Sequence, residues 1–281
     1  MAALADKVIL VTGATDGIGK GTAGELAAMG ARILLHGRRA ERVTQAKHDL
    51  GRIAPDARID PFVADFSALA QVRELADAVI RRTDHLDILI NNAGIGAGPS
   101  GAQRREQSAD GHELRFAVNH LAPFLLTHLL LPLLAQGMPA RVVNVASAAQ
   151  RPIDFDNVML ERDYDGFRAY AQSKLAMVMA TFEFARCLEE QAITVNAVHP
   201  GSLLDTKMVR EGFGTPQGPV EQGIASEVFV ATSPDLVDVT GTYFDELRPA
   251  KAHPQAYDAD ARRRLWRLSE QLTGLTGRSS G

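Results

Sequence analysis

Short apolar runs alternate with longer stretches of helical periodicity along most of the chain. The runs are continuous rather than interrupted by polar residues, which is typical of strands covered on both faces, as in a parallel sheet. Strands are predicted at residues 8–11, 32–35, 58–63, 86–90, 141–145, 193–198 and 241–244. Helices are predicted near residues 18–29, 39–50, 67–82, 111–135, 167–190 and 218–232. The pattern predicts an α/β fold with a doubly wound, mainly parallel, seven-stranded sheet and right-handed crossovers.

Two segments depart from this rhythm. Residues 203–219 are rich in Gly, Pro and charge, and are predicted to form a mobile loop rather than a strand or helix. Residues 257–273 carry an Arg-rich helical pattern that is predicted to dock through Leu265, Trp266 and Leu268. A frayed tail is predicted at 276–281. Because no linker, repeat or low-complexity block divides the chain, residues 1–281 are predicted to form one domain.

Composition narrows the class of protein. The chain has 281 residues, of which 46% are hydrophobic and 23% charged, so it can bury a full core and is not a disordered or disulfide-stapled small chain. Thirty Lys and Arg residues against thirty-four Asp and Glu give a net charge of −4, and no positive field favours nucleic acid as a partner. The sequence predicts no metal site.

Cysteine usage and hydropathy indicate the compartment. The one cysteine, Cys187, falls in an apolar helical pattern, and is predicted to fill the core in a reducing compartment. The most apolar run, 124–135, contains His128 and Pro132 and is too short for a bilayer span, so it is predicted to be a buried helix. With no secretory signal visible, the protein is expected to be cytoplasmic.

A glycine-rich segment follows the first predicted strand. Gly13, Gly17 and Gly19 have the spacing Gly-x3-Gly-x-Gly and precede a helix. Such glycines allow a tight turn and a close approach of pyrophosphate, while the helix N-terminus offers free N–H groups. The candidate cofactor contacts here are Gly13, Thr15, Asp16, Gly17, Ile18 and Gly19. An ordinary tight turn is the alternative.

The end of the second strand indicates which dinucleotide is bound. Many NAD sites place a carboxylate there to bind the ribose diol, but this chain has Gly37 followed by Arg38 and Arg39. Guanidinium groups pair well with a 2′-phosphate, so NADP(H) is favoured. Asp16 complicates this, since it could lie near the same phosphate. The alternative is that both arginines only solvate the start of a helix.

Two later loops are expected at the same edge of the sheet. They follow the third and fourth strands, at the carboxyl ends where open α/β sheets bind ligands. The candidate contacts are Asp65, Phe66, Asn92, Ala93 and Gly94, with Asp65 accepting a bond from the adenine amino group. Turn chemistry explains these residues equally well.

Tyr170 and Lys174 are candidates for proton transfer. Their i, i+4 spacing places both side chains on one helix face. A nearby ammonium favours the phenolate and is expected to lower the pKa of Tyr170, which suits it to act as a general acid or base. A solvated pair is the alternative.

Two further polar residues could assist. Ser147 ends an apolar strand, and its hydroxyl could donate to a substrate carbonyl. Asn119 lies in an apolar helix, needs a partner there, and could hold a water that passes protons to Lys174. The adjacent His120 is expected to be structural.

Together these positions resemble the short-chain dehydrogenase/reductase family. The matching motifs cover about residues 7–245 and are Gly13/Gly17/Gly19, Asp65, 91–94, Asn119, Ser147, Tyr170/Lys174 and His199-Pro200-Gly201. The resemblance implies a single Rossmann-type domain, a nicotinamide cofactor and Tyr170 as the proton donor or acceptor. It also implies that Ser147 orients the substrate, that Lys174 binds the nicotinamide ribose while lowering the Tyr170 pKa, and that Asn119 completes a proton relay.

Details point to one branch of that family. Residues 111–127 and the long gap between Ser147 and Tyr170 look most like the retinol-dehydrogenase-like branch, which commonly uses NADP(H). One segment departs from the family pattern. After Pro200 and Gly201, a threonine near the nicotinamide amide is usual at a shorter distance, whereas here Thr206 is one residue further and Ser202 competes with it.

The sequence therefore predicts an NADP(H)-dependent oxidoreductase that interconverts an alcohol and a carbonyl on a small molecule. The loop 203–219 is expected to close over the substrate. Apolar pocket candidates favour a hydrophobic substrate: Ile95, Phe155, Leu203, Leu204, Met208 and Phe213. A homodimer or homotetramer is typical of the family. The alternatives are a non-catalytic NADP(H) sensor, and a dehydratase or epimerase that uses bound cofactor transiently.

Overall fold

The computed structural model describes residues 4–98 and 104–275, which build an eight-stranded sheet with helices on both faces. The strands are β1 (Val8–Val11), β2 (Arg32–Gly37), β3 (Ile59–Val63), β4 (Ile88–Asn91), β5 (Ala140–Val145), β6 (Ile193–His199), β7 (Tyr243–Asp245) and β8 (Arg248–Ala250). The helices are α1 (Gly17–Ala28), α2 (Ala40–Ile53), α3 (Leu69–Arg82), α4 (Leu114–Phe116), α5 (Ala122–Gln136), α6 (Gly166–Cys187), α7 (Lys207–Gly212), α8 (Val220–Thr232) and α9 (Ala259–Thr273). A π turn (Ala117–Leu121) and 3₁₀ turns at Pro234–Leu236 and Pro254–Tyr257 complete the described elements.

The strand order is β3-β2-β1-β4-β5-β6-β7-β8, and neighbours from β3 to β7 pair in parallel. The chain reverses its direction of travel between β1 and β4, which opens a crevice at the carboxyl ends of those strands. This confirms the predicted doubly wound, Rossmann-type α/β fold. The expected count of seven strands is wrong by one, because β8 pairs antiparallel with β7. The three residues of β8 include Pro249 and form no apolar run, so the sequence gives no strand signal there.

The core lies in two layers, one on each face of the sheet. Two consecutive residues of β1 point to opposite layers. Leu10 belongs to the layer with α3, α5, α6 and α9, while Ile9 belongs to the layer with α1, α2 and α8. Both residues are fully buried. Burial on both faces explains why the strand sequences are continuously apolar.

The predicted helix at 111–135 is interrupted by a local change of winding. It begins at Leu114, passes through the π turn and continues as α5. The whole segment, Leu114–Gln136, is long and apolar enough to cross a membrane by length and composition, but 78% of its most apolar window is buried in the protein. Within the described residues it therefore packs as a core helix.

Three further expectations can be compared with the structure. The segment 203–219 was expected to contain neither strand nor helix, which is wrong, because α7 forms there and Leu204 bridges Gly218. Cys187 is exposed at the last turn of α6, so its prediction as a core residue is also wrong. Docking of α9 is confirmed, since Leu265 is buried and Trp266 and Leu268 pack against the core. The tail at 276–281 lies outside the described residues.

Candidate active site

The glycine turn between β1 and α1 lies tightly against the loop that follows β4. Gly13 and Gly17 have φ values of +68° and +51°, which favour glycine. A Cβ at Gly19 would come within 2.1 Å of Asn92 Nδ2. That amide donates to two carbonyls at the end of β1, the nearer at 2.7 Å. The turn therefore exposes backbone instead of side chains at the start of α1, as a pyrophosphate site requires.

The end of β2 has no room for the carboxylate typical of NAD sites. A Cβ at Gly37 would lie 2.3 Å from the Thr15 methyl carbon. Arg38 and Arg39 follow, both exposed, and neither forms an ion pair with any residue that the structure describes. Thr15 thus fills the space beside Gly37 at the end of β2, and the two exposed guanidinium groups follow directly in the chain.

Asp16 has two roles at the same corner. Its Oδ1 accepts a hydrogen bond from Gly17 N at 2.9 Å and caps α1. Its Oδ2 lies 3.4 Å from Nη1 of Arg42 in the first turn of α2. Sequence reasoning missed Arg42, although it lies only four residues beyond Arg38. Lys20, another cation nearby, is paired with Asp49 at 2.6 Å.

His36 joins the glycine turn to the loop after β3. Its Nδ1 accepts from Gly13 N at 3.3 Å, and its Nε2 lies 3.0 Å from Ala64 O, so the proton is on Nε2. Burial lowers the pKa of His36 to about 4. The Phe66 ring stacks on His36 at 4.5 Å, and Asp65 Oδ1 accepts from the backbone N–H two residues on. His36 lies in an apolar strand, so its sequence context does not distinguish it.

Tyr170 and Ser147 meet at the carboxyl edge of the sheet, and both are buried. Ser147 Oγ accepts from Ala149 N at 3.1 Å, and the same side chain hydrogen-bonds to Tyr170. The Ser147 carbonyl accepts bonds from Gln150 Nε2 at 2.9 Å and the Tyr243 hydroxyl at 3.2 Å. Sequence reasoning missed these two supports, because they come from a loop and from a distant strand.

Lys174 lies beside Tyr170 but bonds elsewhere. Its Nζ donates to Val145 O at 2.7 Å and is 5.9 Å from the centroid of the Tyr170 ring. Burial lowers the pKa of Lys174 to about 8, while the charge of the buried Glu227 acts in the opposite direction.

The expected effect of Lys174 on Tyr170 is therefore corrected. Burial raises the pKa of Tyr170, and the opposing influence comes from a hydrogen bond with Ser147. The Lys174 ammonium is directed at a backbone carbonyl, and desolvation of the phenolate dominates at the tyrosine.

Asn119 lies inside the π turn and is fully buried. Its Oδ1 accepts from Ile95 N at 2.8 Å, and its Nδ2 donates to Ile95 O at 3.0 Å and Ser173 Oγ at 2.9 Å. A Cβ at Gly94 would lie 3.2 Å from Asn119 Oδ1 and 3.5 Å from Lys174 Nζ. The two side chains therefore converge at Gly94, where a Cβ would crowd Asn119.

His120 points away from this group. Its Nε2 lies 2.7 Å from Ser269 Oγ on α9. Its ring also packs near Phe116 and Phe124, with centroids at 4.9 Å and 5.9 Å. This agrees with the expectation that His120 is structural.

The loop after β6 separates the two hydroxyls that were expected to compete for a nicotinamide amide, those of Ser202 and Thr206. Ser202 Oγ is 3.0 Å from His199 Nε2, so it is turned towards β6. Thr206 caps α7 and its methyl carbon would be 3.6 Å from a Cβ at Gly17, so it faces the glycine turn. The Pro200 carbonyl accepts from Ser226 Oγ at 3.2 Å. Gly201, with φ +132°, allows Leu204 to pack against it.

Residues 203–219, called the lid below, contact the Tyr170 ring. The Phe213 ring meets the Tyr170 ring edge to face, with centroids 5.3 Å apart. A Cβ at Gly96 would lie 2.8 Å from Met208 Cγ and 3.3 Å from Phe213 Cε2. Met208, Phe213 and the loop at Gly96 thus meet around Tyr170.

The other apolar pocket candidates lie apart from this contact. Leu204 is buried against Gly201 and Gly223 at the base of the lid. Phe155 lies under Arg264 of α9, with the guanidinium carbon 4.6 Å from the ring centroid. Leu203 has φ +51°, a left-handed conformation at the point where the lid begins.

Comparison with known proteins identifies the family. A sequence profile described as short chain dehydrogenase matches residues 7–216. Retinol dehydrogenase 13 of Homo sapiens is 37% identical, over 98% of this chain and 86% of that protein. Retinol dehydrogenase 14 of Homo sapiens is 35% identical, over 96% and 87%.

Among solved structures, a short chain dehydrogenase from Burkholderia cenocepacia J2315 in complex with NADP is similar to this chain. The TM-score is 0.69 and the identity 29%, over 87% of this chain and 97% of that one. The chain belongs to the short-chain dehydrogenase/reductase family, in its retinol-dehydrogenase-like branch, and is an NAD(P)-dependent oxidoreductase.

Proposed function

We propose that this protein interconverts an alcohol and a carbonyl with NADP(H), and that Tyr170 is the general acid and base. The observation that carries the proposal is the meeting of Tyr170, Ser147 and Lys174 in one buried group, at the sheet edge where the glycine turn also lies. Buried proton-transfer groups beside a dinucleotide cradle suit hydride chemistry on a small molecule.

In the reductive direction, Tyr170 gives its hydroxyl proton to the carbonyl oxygen of the substrate. Ser147 donates a hydrogen bond to the same oxygen and stabilises the charge that develops there. The Ser147 hydroxyl bonds to Tyr170 in the structure, and we propose that it donates to the substrate oxygen instead once substrate binds. When bound, the nicotinamide supplies the hydride that the substrate carbon receives.

Lys174 and Asn119 are proposed to serve the nicotinamide side. Gly94 supports this assignment, because its missing side chain lets the loop after β4 approach Asn119 Oδ1 and Lys174 Nζ closely without covering them. A ribose bound beside this loop would accept a bond from the Lys174 ammonium. We further propose that Lys174 returns a proton to Tyr170 by a relay that Asn119 helps to hold.

The preference for NADP(H) rests on the corner at Gly37. Thr15 fills the space in which a ribose-binding carboxylate would stand, and Arg38 and Arg39 are exposed beside it. A 2′-phosphate would pair with these guanidinium groups. Arg42 is a third cation at this corner, although Asp16 partly neutralises it.

The substrate is proposed to be hydrophobic. Phe213 of the lid contacts the Tyr170 ring, and Phe213 and Met208 both lie against Gly96. Apolar groups at this position favour an aliphatic or aromatic carbonyl over a sugar. The names of the relatives refer to retinol, which is an example of this substrate class.

The test is a panel of aldehydes, ketones and alcohols offered with NADPH and with NADH, followed by the absorbance of the reduced nicotinamide. We expect net NADPH oxidation matched to alcohol formation, fastest with apolar carbonyls. NADPH binding without turnover on any substrate would favour a sensor. Product formation without net cofactor consumption would favour a dehydratase or epimerase.

A further inference from the structure

Arg115, in α4, is a buried arginine outside the group that we assign to proton transfer. It is only 3% exposed. Its Nε donates to Gly96 O at 3.1 Å, and its Nη2 donates to Ala97 O at 3.0 Å. A guanidinium is a rigid planar fork, so these two bonds fix two consecutive peptide groups relative to α4.

The other side of the guanidinium is held by polar partners. Its Nη1 donates to the Tyr164 hydroxyl at 2.7 Å and lies 3.5 Å from Glu113 Oε1. Glu113, itself 1% exposed, accepts from Phe116 N at 2.7 Å through Oε2. Because a buried cation is costly unless it is paired, this arrangement indicates that the charge is held in place for its contacts with the loop.

Two side chains together hold the loop after β4. Asn119 bonds both the N–H and the carbonyl of Ile95, and Arg115 bonds the next two carbonyls. Three consecutive residues, 95–97, are thereby fixed to α4 and the π turn.

The lid packs on this same loop. A Cβ at Gly96 would crowd Met208 and Phe213, and a Cβ at Gly212 would lie 3.0 Å from Gly98 O. Phe213 in turn contacts Tyr170. Arg115 therefore acts on the substrate side of Tyr170 through the loop and the lid.

We propose that Arg115 is a positioning residue that fixes the 96–97 backbone as the surface on which the lid closes, and so controls substrate binding. The kinetic part of this inference rests on the proposed function. The structural part, closure of the lid, does not.

The test compares Arg115→Lys with the unaltered chain and with Arg82→Lys as a matched control. Lysine keeps the charge near Glu113, but its single nitrogen cannot reproduce the rigid fork by which Arg115 holds both carbonyls and the Tyr164 hydroxyl together. Arg82 pairs with Asp60 near the start of β3, at the other end of the sheet. Trypsin cleavage after Lys207 and Arg210, both in the lid, is followed by mass spectrometry with NADPH present.

We expect Arg115→Lys to increase the rate of lid cleavage about tenfold and the KM for the carbonyl about tenfold. The kcat should change by less than about threefold. The affinity of Arg115→Lys for NADPH should match that of the unaltered chain. Arg82→Lys should match the unaltered chain in lid cleavage, KM and kcat. Lid cleavage and KM at unaltered levels in folded Arg115→Lys would overturn the proposal.

A second variant covers the case in which Arg115→Lys does not fold. Gly212→Ala presses a methyl group on Gly98 O from the lid side and leaves Arg115 intact. It should give the same faster cleavage and raised KM. Unaltered values in Gly212→Ala would show that the loop does not support the lid, and the proposal would fail. If the unaltered chain has no turnover, the proposed function fails, while lid cleavage still tests Arg115.

Discussion

The nucleotide end and the substrate end of the crevice are built in different ways. The nucleotide end, around Gly13, Gly19 and Gly37, depends on missing side chains, because a Cβ at any of the three would meet an atom within 3 Å. The substrate end depends on buried polar groups whose partners come from distant parts of the chain: Asn119 donates to Ser173 Oγ, and the Tyr243 hydroxyl donates to the Ser147 carbonyl. Close backbone packing therefore forms the nucleotide end, and networks of polar hydrogen bonds form the substrate end.

The largest expected effect separates chemistry from binding. Tyr170→Phe should lower turnover by about 10²–10⁴-fold, because only the proton-transfer group is lost. The affinity for NADPH, measured by fluorescence titration, should stay near that of the unaltered chain, since the hydroxyl belongs to the substrate end. Near-normal turnover would remove Tyr170 from the mechanism.

His36 provides a test of the nucleotide end through pH. Its pKa is about 4 when folded against an ordinary 6.5, so the unfolded chain binds a proton between these values and the folded chain does not. Its contribution to stability is complete above pH 6.5 and is lost as the pH falls towards 4, by at most about 3 kcal/mol.

Urea unfolding at pH 7 and at acidic pH measures this effect. His36→Gln should flatten the pH dependence of the free energy of unfolding. An equally steep loss of stability in that variant would assign it to other buried groups, such as His120, whose pKa burial lowers to about 3.

Arg38→Ala tests the cofactor preference. Loss of a charge-assisted pair should weaken NADPH binding by about tenfold or more and leave NADH binding nearly unchanged. Arg52→Ala, an exposed arginine at the end of α2, is the control and should alter neither. If the preference survives in Arg38→Ala, Arg39 or Arg42 becomes the better assignment.

The smallest effect is a contrast between two glycines of α1. Gly19→Ala should cost about 1–3 kcal/mol of stability and weaken NADPH binding, because its Cβ would press on Asn92. Gly24→Ala meets only Ile53, at 3.7 Å, and should stabilise the protein by about 0.5–1 kcal/mol. Thermal unfolding measures both. Similar changes in the two variants would show that the glycine turn is not unusually crowded.

The same contrast explains what sequence could predict. The hydrophobic periods of strands and helices predicted the doubly wound parallel sheet and nearly all of its helices, and the glycine spacing predicted the turn after β1. These signals are local in sequence. Tyr170 and Lys174 were found by their helical spacing. The direction of the Lys174 amine towards Val145 O was not, since it depends on where β5 ends in space.

Contacts across the chain left no local signal. Arg115 and Arg42 are ordinary charged residues of helical stretches, and only the folded structure shows that Arg115 holds the 96–97 backbone while Arg42 meets Asp16. Cys187 illustrates the opposite error, in which an apolar pattern hides a surface position. Oligomeric state and compartment stay predictions.

Both outer strands of the sheet carry a proline. Pro61 lies in β3 opposite Leu35, and Pro249 lies in β8 opposite Phe244. Proline has no N–H to offer to an incoming strand, and short or proline-bearing borders are a common protection against edge-to-edge aggregation. The sheet is therefore a poor template for amyloid-like growth at either border, even though its interior strands are among the most apolar segments of the chain.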